Sequence, residues 1–274
     1  MKKRVLFVSQ EINPFLPETE ISKTSRSLPQ LTQESGKEIR IFMPRYGIVN
    51  ERRHQLHEVI RLSGMNLVVD DHDHPLIIKV ASIPQARMQV YFIDNDEYFR
   101  RKSFLTDNKG KLHADSDERA IFFAKGVLET VKKLGWKPDI IHCHGWMASL
   151  LPLYLKKLYA NDPHFSESKV VVSIYNQGYK GALNKNLKSK LGFDGIEGDD
   201  VEVVSDPTYD HLMCLAAKNA DGIVKVGSEL DADLEQCIDN SSVPVLENPG
   251  DGDVASEYTA FYDKLLEENS VTTN

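Results

Sequence analysis

Short runs of β-branched and aromatic residues alternate along this chain with longer stretches whose apolar positions recur at helical spacing. The short runs read as buried strands, and the longer ones lay an apolar stripe against them. The pattern predicts strands at Arg4–Ser9, Glu38–Met43, Gln89–Ile93, Asp139–Cys143, Lys169–Ile174, Gly222–Val226 and Val243–Leu246. A helical stretch separates most of them, as in successive βα units, so the expected fold class is α/β with a mainly parallel sheet. The clearest helix runs from about Asp117 to Leu134, with Ala120, Phe123, Ala124, Val127, Leu128 and Val131 on one face and Gly135 at its end. Two further apolar runs, Asn66–Asp70 and Pro75–Val80, are joined by a turn too short for a crossover and predict an antiparallel hairpin at the sheet edge. From Tyr179 to Pro207 the chain is polar and weakly periodic, which predicts a mobile loop. Near the end, Tyr258, Phe261, Tyr262, Leu265 and Leu266 form an apolar stripe on a helix spanning Ala255–Glu268, after a short turn at Asn248–Asp253.

Composition narrows the possibilities. A chain of 274 residues that is 41% hydrophobic can close a sizeable core. Its formal charge of −8 opposes the basic face that nucleic acid requires. No apolar run approaches the ~20 residues of a membrane span, and Val5–Val8 is too short for a signal-peptide core. Cys143, Cys214 and Cys237 are widely spaced, with no CxxC pair and no disulfide framework, so a reducing cytoplasm is expected. Phosphate-binding GxxxxGK[ST] and dinucleotide-binding GxGxxG motifs are absent, as is any recognisable nucleophile–His–acid motif.

Open α/β sheets bind ligands beyond the carboxyl ends of their strands. After the first strand comes Ser9-Gln-Glu-Ile-Asn-Pro-Phe15, then Ile21 opening a helix that runs to Leu28-Pro29; after the second comes Met43-Pro-Arg-Tyr46. Farther on stand Glu97-Tyr-Phe-Arg-Arg101 and Asp115-Ser-Asp-Glu-Arg119. Pro138-Asp-Ile-Ile-His-Cys-His-Gly-Trp146 then leads into Leu150-Leu-Pro-Leu-Tyr154, and Ser173-Ile-Tyr-Asn176 is followed by Tyr179 and Gly181. In this order, over roughly residues 4 to 240, the chain resembles the family-5 glycosyltransferases, the bacterial glycogen and plant starch synthases. The histidine segment is similar to that family's PDxxHxHDW, and the last one to its TVHNxxYxG.

The resemblance implies half of a two-domain GT-B enzyme. Residues 1–250 would be its first, Rossmann-like domain, facing the growing α-1,4-glucan. Residues 251–274 would be a C-terminal helix and tail packing back onto it. The second domain, which holds ADP- or UDP-glucose, is expected to be absent. Sugar-contacting candidates are His144, Tyr175, Asn176, Arg45, Tyr46 and Trp146; no catalytic residue, metal or cofactor is assigned.

The chain departs from the family where the donor would bind. In place of a KTGGL-like loop stands Pro17-Glu18-Thr19-Glu20-Ile21, whose carboxylates would repel a phosphate and whose side chains would keep the backbone away from it. The HDW aspartate is Gly145, and the TVHN histidine is Tyr175. These changes predict a degenerate enzyme that binds glucan or a protein partner, or pairs with another copy, through its cleft face. The alternative is an active glucosyltransferase in glycogen synthesis, its donor domain supplied by a partner. Neither nucleic acid nor membrane is an expected partner.

Blander roles stand beside these. His142 and His144 lie two apart on a strand, so they point the same way. They could be a packed pair, or His144 alone could face the cleft; a metal would need further ligands. Trp146 suits a core position as well as a sugar platform. Asp115, Asp117 and Glu118 suit the start of a helix as capping groups. The turn Asp70–His74 lacks the spacing of a calcium loop and reads as a solvated hairpin turn.

Overall fold

The computed structural model describes residues 2–227, 230–247 and 253–271, with side chains through residue 267. In chain order the elements are β1 (Arg4–Ser9), α1 (Glu20–Glu34), β2 (Glu38–Pro44), α2 (Glu51–His54), β3 (His57–Glu58), β4 (Met65–Val69), β5 (His72–Ile83), β6 (Met88–Asp94), α3 (Asp96–Phe99), α4 (Ser116–Lys133) and β7 (Ile140–His144). There follow α5 (Leu151–Leu158), β8 (Lys169–Tyr175), α6 (Leu187–Phe193), α7 (Tyr209–Lys218), β9 (Gly222–Val226), α8 (Ala232–Asp239), β10 (Val245–Leu246) and α9 (Val254–Val271). The strands form one sheet in the order β10-β9-β8-β7-β1-β2-β6-β5-β3, with β4 paired to β5. From β10 to β6 every pairing is parallel, and the β5 pairings are antiparallel. The predicted α/β class holds.

Strand order reverses at β1, which lies between β2 and β7. Right-handed crossovers therefore place α1 on one face and the helices between β6 and β10 on the other. On the first face α1 touches α9. The stripe on α9 is buried against the sheet, with Tyr258, Phe261, Tyr262 and Leu265 all at 7% exposure or less. A Cβ on Gly222 would sit 2.9 Å from the Leu265 and Phe261 side chains, so a side chain there would force α9 off the sheet. Of the turn predicted at Asn248–Asp253, residues 248–252 lie outside the described residues.

Four expectations need correction. Helix α1 does not stop at Leu28-Pro29 but runs through Pro29 to Glu34, because its buried stripe of Ile21, Ser25, Leu28 and Thr32 continues past the proline. The segment expected to be a mobile loop is packed: it contains α6 and buries Leu183, Leu187, Leu191, Ile196, Val201 and Val204. Among the first-turn carboxylates of α4, Asp115 pairs with Arg101, while Asp117 and Glu118 bind Lys190 of α6 at 2.8 and 2.5 Å. The N-cap Asp115 makes no side-chain capping bond. The hairpin is more than an edge decoration, since β5 pairs with β6 over Ile77–Ile83 and carries β3 outside it. Its turn residues Asp70 and Asp71 have positive φ, but His74 is buried against Tyr98.

Candidate functional site

The switch between β1 and β7 brings Ser9 beside His144, and the Gln10 amide donates to the His144 carbonyl at 2.9 Å. Gly145 follows with φ +80 and ψ 163, a conformation open essentially to glycine alone. A Cβ here would meet the Gln10 side chain at 2.8 Å. Where the family carries aspartate, this chain has a glycine fitted against Gln10.

Both histidines point to the face covered by α1 and α9. His142 is held through Nδ1 by the Tyr262 hydroxyl and through Nε2 by the Ser173 hydroxyl, each at 2.7 Å. His144 Nδ1 meets the Tyr175 hydroxyl at 2.8 Å, and the two imidazole centroids are 4.0 Å apart. His142, His144 and Tyr175 are fully buried. Burial pushes His144 down to about 3 and holds His142 well below the ordinary imidazole range, so both rings are neutral at physiological pH. His144 Nε2 is buried without a hydrogen-bond partner among the described residues. Tyr175, in the family's histidine position, thus sequesters His144, and it also reaches Thr24 on α1.

At the start of α1, Thr19 is the N-cap. Its hydroxyl accepts from the Ser22 amide at 3.0 Å, and the Ser22 hydroxyl accepts from the Thr19 amide at 2.8 Å. A helix N-terminus attracts anions through unsatisfied amides, and this reciprocal box satisfies two of them internally. The Thr19 hydroxyl donates to Glu11, whose carboxyl is pushed up by burial. Glu18 pairs with Lys23 at 2.6 Å, Glu20 is exposed, and Ile21 turns into the core. Residues 17–21 therefore present negative charge where the family's loop meets a phosphate.

Arg45 and Tyr46 stand on the far side of β1. The Arg45 guanidinium binds Asp94 at 3.1 Å and Glu51 at 2.6 Å, and Lys79 joins the same two carboxylates. Tyr46 is buried edge-on against Phe99 and Phe104. Trp146 is 1% exposed and meets Tyr179 edge-on, so it offers no ring face to solvent.

An open cavity of about 630 Å³ lies beyond the ends of β8 and β9. Tyr175 and Asn176 line it, joined by Tyr179, Lys180, Asp206, Tyr209, Asp210 and Asp231. Tyr209 donates to the Tyr175 carbonyl at 2.6 Å and stands edge-on to Tyr179. Gly178 lies so close to the Tyr209 ring that a Cβ would approach it to 2.5 Å. Burial, then the nearby Asp231, pushes the Asp210 carboxyl up. Of the sequence candidates, Tyr175 and Asn176 reach this cavity. Asp206, Tyr209, Asp210 and Asp231 were missed, although the last three belong to segments flanking β9, where the strand-end rule applies.

A doubly wound α/β domain, with a sealed histidine pair at its switch point and a polar, aromatic cavity beside it, is the class these features define. The chain belongs to the starch synthase catalytic domain family, whose sequence profile matches residues 4–234. It is 44% identical over 236 residues to a glycogen synthase of Chlorobium limicola, covering 82% of this chain and 48% of that protein. With the glycogen synthase of Chlorobaculum tepidum it shares 39% identity over 224 residues, 80% of this chain and 44% of that one. Its fold matches the catalytic domain of Starch Synthase IV from Arabidopsis thaliana bound to ADP and acarbose, with a TM-score of 0.74 at 18% identity over 90% of this chain and 51% of that one. The chain spans about half the length of the curated relatives it matches. By sequence it is a glycogen/starch synthase-like domain. Among the described residues, no helix is long and apolar enough to cross a membrane.

Proposed function

We propose that this chain binds α-glucan and does not itself transfer glucose. The observation that carries the reading is the start of α1, where Thr19 and Ser22 occupy each other's amides and Glu11, Glu18 and Glu20 supply carboxylates. A diphosphate leaving group needs positive charge and free amides, whereas here the Thr19 and Ser22 amides are already taken and Lys23 is paired with Glu18. The cavity beyond β8 and β9 suits an uncharged polyol: Asn176, Asp206, Asp210 and Asp231 offer oxygens that accept hydrogen bonds from hydroxyls, and Tyr179 and Tyr209 supply aromatic walls. Self-association or a protein partner on the cleft face is compatible with this role.

The test is isothermal titration of residues 1–274 with maltoheptaose, alongside a transfer assay using radiolabelled ADP-glucose or UDP-glucose and glycogen primer. The expected result is binding without incorporation. Asp210→Ala should weaken binding by about tenfold, or ~1.4 kcal/mol. Incorporation by the chain alone would overturn the non-catalytic assignment, and absence of binding would overturn the glucan assignment. Incorporation only after adding cell extract would instead favour a donor domain supplied by a partner.

A further inference from the structure

Helices α7 and α8 pack side by side. On α7, Asp210, Cys214 and Lys218 follow one another at one-turn spacing; on α8, Asp233 and Cys237 do the same. The two rows face each other: Asp210 senses Asp233, Cys214 interacts with Cys237 through their thiols, and Lys218 acts on Cys237. We propose that Cys214 and Cys237 form a reversible thiol–disulfide site joining α7 to α8, with a small disulfide of the oxidised-glutathione class as co-substrate.

Placement gives each thiol a different part. Cys237 is half-buried and lines a surface cavity of about 440 Å³ with Lys218, Asn240 and Ser242. The neighbouring Cys214 thiol, with added help from Lys218 and His211, holds Cys237 below the ordinary thiol range against the opposing effect of burial. Cys214 is buried beneath it and held up by the neighbouring Cys237 thiol and by burial. The accessible thiolate is the attacking group in such exchanges. Cys237 therefore attacks one sulfur of the small disulfide and expels one small thiolate. Cys214 loses its proton and attacks the Cys237 sulfur of the mixed disulfide, expelling the second. Two protein thiols become one disulfide, the small disulfide is reduced to two thiols, and the two protons released end on the small thiols or in solvent. Cys143, buried within the sheet on β7 and raised by burial, takes no part.

The pair sits behind the glucan cavity. Helix α7 contributes Tyr209 and Asp210 to that cavity and α8 contributes Leu234, so a covalent tie fixes the spacing of two of its walls. Only this consequence rests on the function proposed above; the thiol chemistry does not.

The experiment treats the whole chain with oxidised glutathione at neutral pH and follows it by intact mass and peptide mapping. The expected product lacks two hydrogens, links Cys214 to Cys237, leaves Cys143 free and reverts with dithiothreitol. Before oxidation, Cys237 should alkylate with iodoacetamide at least ~10-fold faster than Cys143. Cys214→Ser should halt at a stable glutathione adduct on Cys237, and Cys237→Ser should give neither product. A wild-type adduct on Cys237 that never resolves, or a Cys237 as inert as Cys143, overturns the proposal. Maltoheptaose affinity of the oxidised and reduced forms then reads the cavity separately.

Discussion

At the scale of single residues, the two histidines show how a recognisable motif can be kept while its environment changes. Their shared direction was legible from their spacing on β7, but their sealing depends on Tyr175 from β8 and Tyr262 from α9. Those partners are 31 and 120 residues away in the chain, and no local pattern connects them. Burial lowers both pKa values, so the unfolded chain takes up protons that the folded chain refuses. Stability present at neutral pH is therefore lost as pH falls below the ordinary 6.5 toward the folded value near 3. For His144 alone the loss reaches about 2 kcal/mol at pH 5. Urea unfolding at pH 7 and pH 5 should show that drop in the native protein and a smaller one in His144→Gln. At the neighbouring position, Gly145→Asp restores the residue type of the family motif but meets both the glycine-only conformation and Gln10. It should cost about 2–3 kcal/mol, and adding Gln10→Gly should recover part, because the clash is relieved and the strain remains. Equal stability of Gly145→Asp and the native chain would refute this.

At the scale of elements, long periodic stretches such as α4 and the parallel strands were readable because each carries its own hydrophobic period. The segment from Tyr179 to Pro207 was not, because its order comes from isolated contacts. Its helix α6 is anchored by Lys190, whose side chain is 4% exposed and lies between Asp117 and Glu118. Polar composition suggested solvent, whereas the lysine is compensating buried charge on another helix. Replacing Lys190 by Met leaves the fully buried Asp117 without its partner and should cost about 3–5 kcal/mol. Lys190→Met combined with Asp117→Asn should be the more stable variant, since the uncompensated charge is gone. Thermal denaturation of the single and double variants at neutral pH would decide it. A double variant no better than the single would show that the charge pair is not what holds α6.

At the scale of the whole molecule, α9 completes the sheet face that α1 leaves uncovered. Its apolar stripe was evident in the sequence, while its docking partner was available only through the family resemblance. Four side chains, Tyr258, Phe261, Tyr262 and Leu265, are buried there. At about 1.5–3 kcal/mol each, they contribute roughly 6–12 kcal/mol, comparable to the ~5–15 kcal/mol stability of an ordinary domain. Removing residues 253–274 should therefore yield a chain that binds a hydrophobic dye and shows no cooperative melt. A cooperative melt near the native temperature would mean the sheet stands without α9. The same contact bears on how the domain reaches its native state. Joining α9 to a sheet begun some 250 residues earlier closes a very long loop, and such closure is a late and slow event in folding. Until it happens, an apolar face with ordered strands beneath it lies open to other molecules. Crowding and temperature during folding should thus govern the yield of this protein more strongly than its equilibrium stability does.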